Sequence, residues 1–182
     1  DEVRMNQLDQ DEKDLFVHAK RMEWESVEEN KAVLVISPVE AGHIRRTCPD
    51  RVMRSRFLLT KKPISTKMQG RDWMAKARWI IQGFQDPELL HLERSSPTAS
   101  TLTLHIILQT IASHKWNLTL ADIKTAFLAA DHKTREQPVY SEVPPGGIPG
   151  VEEGSLIELL KPIYGQVDAP LHFYTTLKNF LV

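Results

Sequence analysis

The segment Leu118–Leu128, LTLADIKTAFL, constrains this chain most. An apolar run of strand character delivers one carboxylate, Asp122, and passes directly into helix-forming residues that include Ala126, Phe127 and Leu128. A buried strand interior disfavours an unpaired carboxylate, so the acid belongs at a strand end, where a cleft keeps it ionised and available to a cation. Spacing alone leaves two readings open: Asp122 as a metal ligand, or Asp122 as a helix cap or turn former.

Length and composition narrow the class. With 182 residues the chain can bury a core, and an apolar fraction of 41% is ordinary for a globular protein of one or two domains. No apolar run approaches bilayer length and the acidic start lacks the pattern of a secretion signal, so an intracellular protein is expected. Cys48 is the only cysteine, which excludes an internal disulfide and a Cys/His metal cluster. The formal net charge of -1 hides an asymmetry: residues 1–42 hold five Lys or Arg against eleven Asp or Glu, 43–82 eleven against two, and 83–182 seven against eleven. A basic block of that kind suits phosphates, although each of its cations taken singly also reads as a solvated surface charge.

Periodicity predicts the elements. Leu15, Ala19 and Met22 make an amphipathic stripe on a helix from Asp11 to Asn30, with Val17 and Trp24 on a second contact face, before a strand at Ala32–Ile36. The turn residues of Pro38–Pro49 predict a loop, with His43 at its surface. A strand over Arg51–Lys62, a polar loop at Gln69 and Gly70, and a strand at Arg78–Ile81 make a long basic hairpin. Leu104, Leu108 and Ile111 predict a largely buried helix at Thr101–His114, capped by Ser100, that braces the Asp122 strand. A short strand from Pro138 ends at the rigid turn Pro144-Pro145-Gly146, a second spans Leu156–Tyr164, and a helix runs to the end.

Four ordered motifs carry a family resemblance. Asp122, Lys124, Thr125, Ala126, Phe127 and Leu128 match the hydrophobic-strand-then-Asp-x-Lys-Thr-Ala-Phe-Leu motif of copia-type retrotransposon reverse transcriptases. Lys76-Ala77-Arg78-Trp79-Ile80 with Gly83-Phe84 is similar to that family's Lys-Ala-Arg-Leu-Val-x-x-Gly-Phe, and Val139-Tyr140 with Pro144-Pro145-Gly146 to its Ile-Tyr-Met-x-x-Pro-Pro-Gly. Tyr164, Gly165, Ala169, Pro170 and Tyr174 match Leu-Tyr-Gly-Leu-Lys-Gln-Ala-Pro-Arg-x-Trp-Tyr, whereas Gln166, Val167, Asp168 and Leu171 depart from it and remove two cations.

The resemblance implies an α+β fold: a fingers hairpin and a partial palm whose antiparallel sheet packs on helices. The implied divisions are a lead-in at 1–38, basic fingers at 39–99 and partial palm at 100–182. It implies an RNA-directed DNA polymerase using two Mg²⁺ ions, with Asp122 catalytic and, together with Ile123, at the metal. Lys76, Arg78, Phe127, Tyr164 and Gly165 would bind the nucleotide, Phe127 excluding a ribose 2′-hydroxyl, and Ala169 and Pro170 would line the template. Phe127 also fits as plain core, and Lys76 and Arg78 as solubilising charges. Implied partners are RNA template, DNA primer, deoxynucleoside triphosphates and the integrase and ribonuclease H of a Pol polyprotein, with no membrane; the implied location is intracellular, a cytoplasmic virus-like particle with the nucleus as a second location. The family's Tyr-x-Asp-Asp motif is absent from these residues, so this piece alone is expected to be inactive. A repurposed copy that binds nucleic acid without chemistry is the alternative.

Overall fold

The computed structural model describes residues 2–68, 70–131 and 135–181. Helix α1 (Gln10–Glu29) opens where the Asp9 carboxylate accepts the Glu12 N–H at 2.8 Å and closes where the Asn30 amide donates to the Ser26 carbonyl at 2.7 Å. Its core-facing residues are Phe16, Trp24 and Val27. Met22 is exposed, so the predicted stripe of Leu15, Ala19 and Met22 is corrected in part: all three line a cavity beside the hairpin, and Ala19 also packs against a core cluster of Leu8, Phe16, Leu59 and Ala77. Strand β1 (Val33–Ile36) follows after the left-handed Lys31.

The predicted loop at 38–49 is helix α2 (Pro38–Thr47). Its signals are plain in retrospect: Ser37 accepts the Glu40 N–H, Pro38 occupies the first turn, and Arg45 and Arg46 stand at the negative end of the dipole. Ala41 and Ile44 are buried. Arg45 grips Glu142 through Nε at 2.8 Å and the Gly154 carbonyl through Nη1 at 2.8 Å, tying α2 to the sheet.

Strands β2 (Val52–Met53), β3 (Ser55–Met68), β4 (Arg71–Ile81), β5 (Tyr140–Glu142) and β6 (Leu156–Leu159) build two sheets. The larger is mixed, in the order β1-β6-β5-β2, with β1 and β5 antiparallel to β6 and β2 parallel to β5. The smaller is the predicted hairpin, β3 against β4 from Ser55↔Ile81 to Pro63↔Trp73. Gly70 turns it with a φ of 78°, while Gln69, the other half of the predicted loop, lies outside the described residues. The Val3 N–H donates to the Leu59 carbonyl at 2.8 Å and so covers the outer edge of β3. One core joins both sheets to α1: Trp24 meets Trp79 edge to face at 5.4 Å between centroids, packed with Met53, Leu128, Val139, Ile157 and Ile163.

Helix α3 (Thr101–His114) is capped by Ser100 as expected, but no residue of it is buried. Leu102, Leu104, Ile106, Ile107 and Leu108 all face solvent, which corrects the predicted buried brace. The predicted strand leading to Asp122 is also corrected: residues 116–123 have no regular structure and 124–129 form successive turns in place of a helix. A strand exists only through its ladder partners, and among the described residues no strand pairs with 118–121. Helix α4 (Ala169–Leu181) ends the described chain as predicted.

Candidate functional site

Strand alternation sorts β4 into two faces. Ala77, Trp79 and Ile81 enter the core, which leaves Arg78 exposed and Lys76 half-buried on the opposite face. The Arg78 guanidinium lies over the ring of Tyr164, 5.4 Å from its centroid. Tyr164 in turn tilts against Phe127 at 5.0 Å, and Phe127 meets Phe173 edge-on at 6.4 Å. Residues from three separate motifs thus form one contiguous cation–aromatic surface.

Two glycines lock that surface in register. The Ile81 N–H donates to the Tyr164 carbonyl at 2.8 Å, pulling the 164–168 loop onto the end of β4. A Cβ on Gly165, whose φ is 91°, would collide with the Ile81 carbonyl oxygen, and one on Gly83 with the Gly165 carbonyl oxygen. The glycines of the Gly-Phe and Tyr-Gly motifs are therefore two sides of a single backbone contact. Gln166, which departs from the family pattern, is buried and accepts the Ile163 N–H at 2.8 Å, stapling the same turn.

Asp168, another departure, belongs to a buried ionic network. Arg135, with a side chain only 7% exposed, donates from Nη2 to Asp168 at 2.8 Å and from Nη1 to Asp86 at 3.0 Å. Arg51 holds Glu88 at 2.9 Å and His172 lies 3.3 Å from Asp168. Although desolvation opposes it, hydrogen bonding to Asp86 and Asp168 holds the Arg135 guanidinium above its ordinary range. Where the family carries an amide, this chain carries an acid with a matching arginine.

The predicted residues divide accordingly. Arg78, Phe127, Tyr164 and Gly165 come together, and Lys76 stands beside them on the wall of a cavity of about 730 Å³ between α1 and β4, which Thr125 also lines. Asp122 and Ile123 are exposed on irregular backbone, and the Asp122 charge reaches Tyr164. Burial pushes the Tyr164 hydroxyl up, Arg78 opposes this, and Glu23 and Asp122 add to it. Ala169 is buried in the first turn of α4 and Pro170 is exposed beside it, its carbonyl accepting from the Ser96 hydroxyl at 3.3 Å. Among the described residues no group of three or more His, Cys, Asp or Glu side chains is placed to hold a metal ion. Asp122 by itself does not fit a metal pair.

Glu23 is a member that sequence reading missed. It projects from α1 into the same cavity, and its Oε1 accepts the Trp79 N–H at 3.2 Å. Burial pushes its carboxyl up, against the Trp79 hydrogen bond and the charges of Lys76 and Arg78. Its neighbourhood in a Glu-rich helix gave no signal. Only the register of α1 along β4 singles it out.

Comparison with known proteins identifies the family. The family described as "Reverse transcriptase (RNA-dependent DNA polymerase)" matches residues 49–182, and the chain belongs to that family. Within it, the chain is similar to retrotransposon Pol polyproteins of the copia type. It is 30% identical over 132 residues to the "Retrovirus-related Pol polyprotein from transposon RE1" of Arabidopsis thaliana, covering 72% of this chain and 9% of that protein. It is also 30% identical over 135 residues to the "Truncated transposon Ty1-A Gag-Pol polyprotein" of Saccharomyces cerevisiae, covering 74% of this chain and 10% of that protein. The chain therefore spans about a tenth of the length of these relatives. No solved structure matches it. No helix of the described residues is long and apolar enough to cross a membrane.

Proposed function

We propose that this chain is the nucleotide-handling part of an RNA-directed DNA polymerase encoded by a copia-type retrotransposon. Residues 39–99 act as basic fingers and 100–182 as the first part of the palm, with 1–38 leading in. The observation that carries the reading is the surface made by Arg78, Tyr164 and Phe127, with Lys76 beside it: two cations and two aromatics in tilted contact converge from motifs far apart in sequence. Arg grips phosphate in a fork and Lys supplies a point charge, so Lys76 and Arg78 neutralise the triphosphate while Phe127 packs beneath the sugar. Tyr164 and Gly165 form the floor, and Ala169 and Pro170 meet the template. Asp122 and the carbonyl of Ile123 would supply two oxygen ligands to Mg²⁺, and a two-metal transfer needs further carboxylates beside them. RNA template, DNA primer and the other Pol domains are the partners of the longer protein.

The reading is tested by titrating a deoxynucleoside triphosphate into the chain and into a Lys76→Gln, Arg78→Gln double variant. Binding to the parent that falls at least tenfold in the double variant (about the effect expected for losing two charge-assisted contacts) supports it. Equal binding by both rejects it. The embedding of Asp168 in an ionic network with Arg135 favours a remodelled working domain over a decayed copy.

A further inference from the structure

Glu23 stands at the free edge of β4, where no further strand pairs with the two-stranded sheet among the described residues. Its carboxylate takes the Trp79 N–H, the strand position immediately after Arg78, and it shares a cavity wall with Lys76. Among the described residues it closes no ion pair with either cation, although both act on it through space. A carboxyl group is thus fixed beside two cations, and among the described residues it closes a hydrogen bond to the Trp79 N–H and to neither of them.

We propose that Glu23 is a positioning residue that serves as the built-in counter-anion of Lys76 and Arg78, holding both cations at the β4 edge and competing with the phosphates of an incoming nucleotide. The inference rests on the nucleotide reading above. Its physical content is twofold. The carboxylate keeps two neighbouring cations from repelling each other out of place, and it repels a triphosphate that arrives at the same pair. Release from that pair after chemistry is thereby eased. The charged and titratable groups around Glu23 are His18 on its own helix, Lys62 on β3, Arg71, Lys76 and Arg78 on β4, and Tyr164 of the loop.

Glu23→Gln separates this role from edge capping, because the amide oxygen still accepts the Trp79 N–H while the charge is gone. Titration of dTTP and of inorganic triphosphate into the 182-residue chain at low salt reads the result. The variant should bind both about fivefold more tightly than the parent, the repulsion expected of one partly screened charge. Adding inorganic triphosphate to the unaltered chain should, by reciprocity, raise the titration midpoint of the Glu23 carboxyl observed by carbon NMR. Unchanged or weaker binding by Glu23→Gln, or a midpoint that triphosphate does not move, would overturn the proposal and leave Glu23 as an edge cap. If the Lys76→Gln, Arg78→Gln variant binds triphosphate as well as the parent, the nucleotide reading fails and this role falls with it.

Discussion

At the scale of single residues, the site depends on atoms that are missing as much as on those present. Gly165 holds a positive φ and Gly83 faces its carbonyl, so Gly165→Ala adds both backbone strain and a clash with Ile81. It should cost about 3 kcal/mol or more, read as a lower urea midpoint. Phe127 rests on Tyr164 and Phe173 with its ring only half-buried, a geometry compatible with contact to a sugar. On the proposed reading, Phe127→Val in a longer protein that carries this sequence and extends primers should relax discrimination against ribonucleotides by about tenfold or more, measured as the ratio of kcat/KM values. Glu23 makes a pH prediction. A carboxyl whose value is raised by burial favours the folded state when protonated. That contribution is complete below the ordinary carboxylate range and is lost as pH rises through the raised value. Glu23→Gln should therefore be more stable than the parent near pH 7 and equal to it near pH 4, since the cost removed is that of the buried charge.

At the scale of elements, the buried network is the most testable feature. Restoring the family's amide with Asp168→Gln leaves Arg135 buried with one carboxylate fewer and should destabilise the chain by about 3 kcal/mol. Helix α3 predicts the opposite: Leu102→Gln or Ile106→Gln should shift the midpoint by less than about 0.5 kcal/mol, because neither side chain is buried. These cases also show what was readable in advance. The hairpin, α1, α4 and the short strand at Tyr140 follow from local pattern and turn chemistry, which act within a few residues. Helix α2 carried a Ser-Pro start and an Arg-Arg end, but its turn-forming residues masked them. The burial of α3 and the strand before Asp122 were inferred from apolar periodicity, which says that a surface wants a partner and never that one is within reach. Glu23 and Arg135 were illegible for a related reason: their roles arise from contacts with residues at least 33 positions away in sequence.

At the scale of the whole molecule, charge is segregated. The basic block of 43–82 supplies β3 and β4, while the acidic lead-in supplies α1, whose Glu12 pairs with Lys61 and whose Glu23 faces Lys76 and Arg78. Among the described residues, four cations of the block, Arg45, Arg51, Arg56 and Lys61, are already paired with Glu142, Glu88, Glu2 and Glu12, which leaves Lys76 and Arg78 among the cations of β4 open to phosphates. Affinity for a primer–template should fall log-linearly with salt concentration, and the slope should shrink when Lys76 and Arg78 are neutralised. Arg78 of β4, Tyr164 and Phe127 are in contact, and the exposed Asp122 carboxylate acts on Tyr164 through space. The most direct measurement of the proposed reading is RNA-templated primer extension with Mg²⁺ by a longer Pol protein carrying this sequence, beside its Asp122→Asn variant. Extension by the parent and none above background by the variant is the predicted result; extension undiminished by the substitution would contradict the account.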